Sequence, residues 1–258
     1  MTQFISFASS SSGNCGLYDA GARKILIDAG TNTKYIKNSL AQIGLCLGDI
    51  TDILITHTHR DHISALPVLT KQCKARILCS EGSYGALLPE CNHENIETFQ
   101  TGVPFCLEDL QITAFDTPHD CKGSCGFVFE NGNGKFTYCT DLGKITPEIY
   151  EKLKGSHTVF LESNHDVYML KNGEYPYYLK QRILSDQGHI SNDTAAHTVT
   201  LLAEEGLQRA ILAHLSEHNN TVRCALRETE EALKQIGAAG RVIVTAAPHK
   251  QTASPVLL

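Results

Sequence analysis

The sequence lacks the features of a membrane or secreted protein. No apolar run approaches the ~20 residues that a membrane-spanning helix needs, and the first residues, Met1 to Phe7, lack the basic and long apolar regions of a signal peptide. We therefore expect a cytoplasmic protein that makes no use of a membrane.

The chain also lacks an excess of basic residues. It contains 22 lysines and arginines against 28 aspartates and glutamates, a net charge of −6 with the twelve histidines counted as neutral. This balance argues against a surface that coats nucleic acid non-specifically. A local phosphate site stays open, because two bound divalent cations would reverse the sign of the charge in a cleft.

A second close pair of cysteines is missing as well. Cys121 and Cys125 are the one close pair among ten cysteines, so no four-cysteine zinc pattern is complete and we interpret them as plain thiols. Linkers, low-complexity tracts and short repeats are also absent. Since 258 residues can form one large core, we predict a single domain over residues 1–258.

The most informative stretch that is present follows the apolar run Ile53–Ile55. It contains His57, His59, Asp61 and His62. Alternate residues at the end of a strand share a face, so His57 and His59 point together. Imidazole nitrogen and carboxylate oxygen are standard ligands of divalent transition metals. A polar loop with scattered histidines is the alternative, but packing does not require four such groups so close together, and we predict a metal site.

Three further residues each follow an apolar strand of the predicted fold. They are His119, Asp141 and His214, and this position is the usual place for ligands in open α/β sheets. Singly, each has a structural interpretation, as a turn aspartate or a hydrogen-bonded core histidine. Together with the four residues above they supply seven ligands, enough for two metals.

The order of the predicted elements indicates an α/β fold with two halves. Strands come first and then alternate with helices, and this happens twice, which suggests two packed sheets with helices outside. We predict a helix over Ile63–Cys73, antiparallel structure over residues 94–141 with a hairpin turn at Asn131–Gly134, and an irregular segment over residues 165–180.

The ordered histidines and aspartates resemble the metallo-β-lactamase fold, which is an αββα sandwich of two mixed sheets flanked by helices. Several motifs are similar to the YycJ/WalJ (VicX) family of bacteria, and these are Ser9–Asn14, Thr56–His62, Glu162–Asp166, Gly188–Asn192 and Ala213–Asn219. The resemblance implies a metal-dependent phosphodiesterase with 5′-to-3′ exonuclease activity on DNA, linked to DNA repair. One departure is Ser64-Ala65, where related nucleases often have a glycine.

The resemblance also implies how two divalent ions of zinc, manganese or iron are held. One metal would take His57, His59 and His119, the other Asp61, His62 and His214, with Asp141 as the bridge. Two neighbouring cations lower the pKa of a shared water and provide a hydroxide at neutral pH. In this scheme Asp61 is both a ligand and the residue that aims the hydroxide at phosphorus.

Outside the metal set, His189 stands directly before a predicted helix that Ser191 or Asn192 caps. A helix N-terminus favours phosphate. We predict that His189 contacts the scissile phosphate or protonates the leaving oxygen, while Ser191 and Asn192 hold the adjacent phosphate. In the alternative, the two polar residues only cap the helix and His189 packs against it.

Two neighbouring segments keep alternatives open. His165 and Asp166, which follow Glu162, either orient a metal-bound histidine or fix the start of the next segment. The segment with Tyr168, Tyr175, Tyr177, Tyr178, Lys171, Lys180 and Arg182 either stacks bases of a single strand or forms a partly buried amphipathic flap.

We therefore predict a dinuclear metal-dependent phosphodiesterase that acts as a DNA exonuclease. One alternative is a small-molecule phosphodiesterase acting on a cyclic nucleotide or sugar phosphate. Another is a non-catalytic metal-binding regulator, which the complete ligand set argues against, because a structural zinc site needs only four closed ligands.

Overall fold

The computed structural model describes residues 2–91, 93–132 and 134–258. They form two compact units. The first unit runs through Ala114 and includes Cys121–Cys125 and Pro248–Leu258, and the second contains Phe115–Asp120 and Gly126–Ala247. The single domain expected from the sequence stays a prediction.

The strands of both units are numbered in chain order. They are β1 (Gln3–Ser10), β2 (Gly13–Asp19), β3 (Lys24–Ile27), β4 (Asp52–Ile55), β5 (Arg76–Ser80), β6 (Ile96–Phe99), β7 (Phe105–Leu107), β8 (Leu110–Asp116), β9 (Cys125–Asn131), β10 (Gly134–Cys139), β11 (Thr158–Glu162), β12 (Arg209–Ala213), β13 (Ile243–Ala246) and β14 (Val256–Leu257).

The helices are numbered in the same way. They are α1 (Thr33–Gln42), α2 (Arg60–Ile63), α3 (Leu66–Leu69), α4 (Glu81–Leu87), α5 (Pro147–Leu153), α6 (Val167–Asn172), α7 (Tyr177–Ile183), α8 (Asn192–Glu204) and α9 (Val222–Gln235), with short 3₁₀ turns at Leu47–Asp49, Leu88–Glu90 and His93–Asn95. Among these helices none combines the length and apolar character that crossing a bilayer requires.

The first unit contains a mixed sheet in the order β14-β1-β2-β3-β4-β5-β6. The strands are antiparallel from β14 to β3 and parallel from β3 to β6. Because parallel strands are covered on both faces, they read as continuous apolar runs, and Ile53, Leu54 and Ile55 are all buried. The carboxyl ends of β3 and β4 lie side by side, which places Asp28 next to Thr56 at one edge of the sheet.

The second unit repeats this arrangement with strands in the order β13-β12-β11-β10-β9. β9 and β10 are antiparallel, and β10 to β13 are parallel. Adjacent carboxyl ends carry Asp141 after β10, Glu162 at the end of β11 and His214 after β12. The predicted fold class is confirmed, since the chain has two mixed sheets flanked by helices.

The predicted helix over Ile63–Cys73 is wrong. The chain instead forms α2 and α3, which are separated at Ser64 and Ala65. The backbone N–H of Ala65 donates to Ala29 O (2.9 Å), and the Ser64 hydroxyl donates to Gly30 O (2.7 Å). The helix is interrupted because these groups bind the loop after β3.

The irregular segment expected over residues 165–180 is also wrong. Asp166 caps α6 by accepting a hydrogen bond from the Met169 N–H (2.8 Å), and Pro176 precedes α7. Gly173 ends α6, and Pro176 precedes the first residue of α7. Glycine and proline also mark loops, so the sequence alone predicts an irregular segment here.

Residues 94–141 are antiparallel only in part. β7–β8 and β9–β10 are antiparallel pairs, as predicted, but β6 pairs in parallel with β5. The hairpin at Asn131–Gly134 is confirmed by the pairing of Asn131 with Gly134, and Asn133 lies outside the described residues. All ten cysteines are free thiols, as expected.

Candidate metal centre

The first unit brings the clustered histidines after β4 into contact. Nε2 of His57 lies 3.1 Å from Nδ1 of His59, and the rings of His57 and His62 are 4.0 Å apart between centroids. His57 and His62 are fully buried, whereas His59 and Asp61 are partly exposed. The motif therefore packs three imidazoles at the end of β4, and solvent reaches His59 and Asp61.

The buried carboxylate of Asp28 fixes the orientation of His62. It accepts a hydrogen bond from Nδ1 of His62 (2.7 Å) and two from the N–H and hydroxyl of Thr56 (2.9 Å each). With its proton on Nδ1, the imidazole presents the lone pair of Nε2, as a metal ligand requires. The sequence analysis missed Asp28, although it directly follows an apolar strand, as the predicted ligands do.

The backbone of the loop after β3 packs closely against the backbone of α2. A side chain at Gly30 would put its Cβ 1.5 Å from the carbonyl oxygen of Asp61, so glycine is required. The N–H of Ala29 also donates to the carbonyl oxygen of His62 (2.8 Å). The loop after β3 thus fixes both the backbone of α2 and the side chain of His62.

Asn14, from the serine-rich stretch, marks the point where two predicted ligands converge. Its Nδ2 lies 2.9 Å from Nε2 of His62 and 3.3 Å from Oδ2 of Asp61. An imidazole lone pair and a carboxylate oxygen aimed at one N–H donor form an electron-rich pocket that suits a cation. Residues through Ser10 and from Gly13 belong to strands β1 and β2.

The second unit gathers a second set of ligand-type groups. Asp141, Glu162, His189 and His214 each offer a ligand atom within 4.8 Å of the others. Oδ1 of Asp141 lies 3.3 Å from Nδ1 of His214 and 4.0 Å from Nε2 of His119. This unit therefore brings together His119, Asp141, His189 and His214, and their roles stay predictions.

Glu162 is the centre of this second cluster. Its fully buried carboxylate accepts hydrogen bonds from Nδ1 of His189 and Nδ1 of His214 (2.8 Å each) and from the N–H of Ile190 (3.0 Å). Burial opposes ionisation, but the charge and hydrogen bonds of the two histidines outweigh it and lower the pKa of Glu162 to about 2. The sequence analysis gave Glu162 no role of its own.

The ring of His119 is also oriented by a hydrogen bond from its Nδ1 to an oxygen atom. Its Nδ1 donates to the carbonyl oxygen of Gly188 (3.3 Å). Burial lowers the pKa of His119, although the charge of Asp141 opposes this, so the ring is neutral at pH 7. Four histidines across the two units thus have Nδ1 bound to an oxygen, and the chemistry of these donor sets fits divalent metal ions.

Three of these residues have an unusual backbone conformation. Asp28, Asp141 and His214 have φ angles of 62°, 60° and 51°, and each follows a strand. A positive φ is uncommon outside glycine and stores strain of about 1–3 kcal/mol, which persists where the surrounding structure enforces it and is concentrated at functional sites. Glu108, in the turn between β7 and β8, is the other described non-glycine residue with a positive φ, so three of these four residues lie at the strand ends of the candidate site.

His189 occupies the exposed side of the second cluster. Its side chain is 20% exposed, and its ring lies 5.3 Å from that of His119 and 5.1 Å from that of His214. Glu162 holds its Nδ1. His189 therefore belongs to the same constellation as the predicted ligands, but is the more accessible to a substrate.

The two polar residues after His189 have different surroundings. The Ser191 hydroxyl accepts a hydrogen bond from the Thr194 N–H (3.2 Å) and caps α8. The Asn192 side chain is buried and bonds to Ser163 (2.7 Å) and Asn220 (2.9 Å). Phosphate binding by either residue stays a prediction, and the contacts of Asn192 favour a structural role.

His165 is buried in the second unit. Neither of its ring nitrogens has a hydrogen-bond partner in the part of the chain that the structure describes, and burial lowers its pKa to about 4. Asp166 acts as the cap of α6. The contact of Asp166 favours the interpretation that this residue fixes the next segment, and the role of His165 stays open.

Comparison with known proteins agrees with this geometry. Residues 23–215 match the family described as the beta-lactamase superfamily domain. The chain is 33% identical over 239 residues to exodeoxyribonuclease YycJ of Bacillus anthracis, covering 91% of this chain and 90% of that protein. It is 32% identical over 218 residues to exodeoxyribonuclease WalJ of Streptococcus pneumoniae, covering 83% and 81%.

A solved structure shows the same fold. The metallo-beta-lactamase fold protein YhfI of Bacillus subtilis aligns with a TM-score of 0.74 at 16% identity, covering 98% of this chain and 100% of that one.

The chain belongs to the beta-lactamase superfamily of metal-dependent hydrolases and, within it, to the family of the YycJ and WalJ exodeoxyribonucleases. The prediction of an enzyme of the metallo-β-lactamase fold is thereby confirmed. Proteins of this fold use divalent metals, typically zinc, and the histidine and carboxylate groups of this chain could bind such ions.

Proposed function

We propose that this chain hydrolyses phosphodiester bonds in DNA as a 5′-to-3′ exonuclease that uses two divalent cations. The observation that carries the proposal is the set of histidines, three buried and one partly exposed, whose Nδ1 atoms are bound to Asp28, Gly188 and Glu162. Such second contacts hold imidazoles ready as ligands or proton carriers. The similarity to two exodeoxyribonucleases over most of the chain supports the choice of substrate.

The proposed ligand sets follow the family motif. One cation would take His57, His59 and His119, the other Asp61, His62 and His214, and Asp141 would bridge them. When bound, two such cations lower the pKa of a water and offset the charge that develops on the phosphate.

The carboxylate of Asp61 suits the positioning of the attacking water. Its side chain is 25% exposed and its Oδ2 lies 3.5 Å from Nε2 of His62. A carboxylate has two acceptor oxygens, so it can meet a cation with one and accept a hydrogen bond with the other. Asp61 would thus serve as a ligand and also direct a water O–H.

His189 is the proposed proton donor. Glu162 binds its Nδ1, so Nε2 is the atom that can face the substrate. The N-terminus of α8 follows directly and favours a phosphate beside it. His189 would therefore protonate the leaving oxygen or contact the scissile phosphate.

A substrate panel with metal analysis tests the proposal. We expect hydrolysis of bis-p-nitrophenyl phosphate that needs Mn²⁺, Zn²⁺ or Fe²⁺ and stops on chelation. We also expect mononucleotide release from 5′-phosphorylated DNA, with loss of a 5′ label before a 3′ label. An Asp61→Ala variant purified in parallel controls for contaminating nucleases.

Each other outcome contradicts the proposal in a different way. Hydrolysis of the small ester but not of DNA would indicate a small-molecule phosphodiesterase. No chelator-sensitive hydrolysis with any of the three metals would indicate a metal-binding regulator. Earlier loss of the 3′ label would reverse the proposed polarity.

A further inference from the structure

Helices α6 and α7 carry the most exposed large hydrophobic side chains among the described residues. Tyr168, Tyr177 and Tyr178 are 76%, 77% and 73% exposed, and we call these three residues the tyrosine platform. Tyrosine usually buries most of its ring, so three such rings within eleven residues of sequence call for a partner. The sequence analysis left base stacking and a partly buried amphipathic flap open for this segment, and the exposure of the three rings favours base stacking.

Basic residues outnumber acidic residues in the segment that carries the platform. Residues 167–184 contain Lys171, Lys180 and Arg182 against one acidic residue, Glu174, in a chain whose net charge is −6. Arg182 forms an ion pair with Asp120, so Lys171 and Lys180 carry the positive charge of this surface. Nζ of Lys180 donates to the carbonyl oxygens of Lys171 (2.9 Å) and Gly173 (2.7 Å), which leaves its third N–H for another acceptor. Exposed rings and ammonium groups thus lie on the same two short helices, which suits a partner with flat apolar faces and negative charges.

The platform is also firmly seated. Leu170 and Ile183 are buried beneath the two helices. The connection between the helices is held by Tyr175, whose ring lies 5.6 Å from that of His218. The same Lys180 bonds join the first turn of α7 to the end of α6. The exposed rings therefore stand on a fixed support, which lowers the entropy lost when they bind a partner.

The end of α7 leads directly to His189. The His189 N–H donates to the carbonyl oxygen of Ile183 (2.9 Å), and the Gly188 N–H donates to that of Ser185 (2.9 Å). A Cβ at Gly188 would lie 2.2 Å from the carbonyl oxygen of Arg182, so only glycine fits at this position. The platform and the proposed proton donor are thus parts of one tightly packed element.

We infer that the tyrosine platform stacks unpaired bases of single-stranded DNA, with Lys171 and Lys180 contacting the phosphates of the strand that leads to His189. Stacking on aromatic rings tolerates any base, and nearby cations follow the backbone. Bases within a duplex do not present their faces, so the platform favours a single strand. The inference rests on the proposed function, because it identifies the form of DNA that the site receives.

Equilibrium binding tests this inference without requiring turnover. The metal-loaded protein is titrated against a fluorescently labelled phosphorothioate oligodeoxythymidylate, which resists hydrolysis. We expect Tyr177→Ala and Tyr178→Ala each to weaken binding about tenfold, and Tyr177→Phe to bind as the wild type does, since a phenyl ring also stacks. Tyr84→Ala is the matched control, because Tyr84 is an exposed tyrosine on α4 of the other unit.

Several results would overturn the inference. They are unchanged affinity in both alanine variants, equal loss in Tyr84→Ala, equal loss of affinity for a blunt duplex, or an effect seen only with anionic vesicles. The proposed function is judged separately by the hydrolysis of bis-p-nitrophenyl phosphate and DNA by the wild type. If only the inference about the platform is wrong, the protein will hydrolyse DNA, and the tyrosine substitutions will not change DNA binding. If only the proposed function is wrong, the tyrosine substitutions will weaken DNA binding, and the protein will not hydrolyse DNA.

Discussion

The Nδ1 atom of His62 lies 2.7 Å from a carboxylate oxygen of Asp28, and both side chains are fully buried. This contact sets which nitrogen of His62 is free to bind a metal. In Asp28→Asn the neutral amide is a weaker acceptor and can also present an N–H to the ring. We expect the metal affinity to fall about 10- to 100-fold, measured by competition with a chelator of known affinity.

Asp52→Asn is the matched control for that substitution. Asp52 is equally buried, lies in the same unit and pairs with Arg23 (3.3 Å) and Arg76 (2.6 Å). Because both arginines are partly exposed and water replaces part of the lost interaction, the substitution should lower the free energy of unfolding by only about 1–3 kcal/mol without changing the metal affinity. Equal losses of metal in both variants would mean that Asp28 acts only through stability.

The lowered pKa of Glu162 predicts how the free energy of unfolding depends on pH. The pKa of its carboxyl in the folded protein is lowered from 4.5 to about 2. Ionised Glu162 therefore stabilises the fold above about pH 4.5, and this contribution, on the order of 3 kcal/mol, is lost as the pH falls toward 2. Glu162→Gln should be less stable at pH 7 and lose less stability on acidification, as measured by urea unfolding between pH 7 and pH 3.

The exposed Glu205, which pairs with Lys154 (3.2 Å), provides the control for the pH series. A surface pair contributes about 0–1 kcal/mol, so Glu205→Gln should keep the slope of the wild type. Identical slopes for wild type and Glu162→Gln would show that Glu162 does not hold this charge in the folded protein.

The strand ends that carry the candidate ligands could be predicted from the sequence because they follow simple rules. Apolar runs mark buried parallel strands, and polar residues directly after them lie at one sheet edge. His57, Asp141 and His214 were found in this way. The fold class followed from the order of strands and helices, together with the family resemblance.

The supporting contacts could not be predicted, because they depend on tertiary packing. Asp28, Asn14 and Glu162 contact histidines 27 to 52 positions away in sequence, and no local period encodes such contacts. The break between α2 and α3 has the same cause, since the loop at Ala29 captures the N–H of Ala65. Local propensity favours one helix there, and the tertiary contact overrides it.

Removing His189 separates proton transfer from metal binding. We expect His189→Ala to lower kcat on DNA about 100-fold or more, as for loss of a general acid, while the metal content measured by mass spectrometry stays at the wild-type level. His197→Ala on the exposed face of α8 is the control. A wild-type rate would exclude the proton-donor role, and loss of metal would instead make His189 a ligand.

Ser191 allows helix capping to be separated from phosphate binding. Its hydroxyl caps α8 through the Thr194 N–H (3.2 Å), and Thr221 caps α9 in the same way through the Cys224 N–H (3.1 Å). Ser191→Ala and Thr221→Ala should therefore lower the free energy of unfolding by a similar amount, about 1 kcal/mol. If Ser191 also holds a phosphate, only its variant should raise KM for DNA. Equal KM values for the two variants would leave Ser191 with the capping role alone.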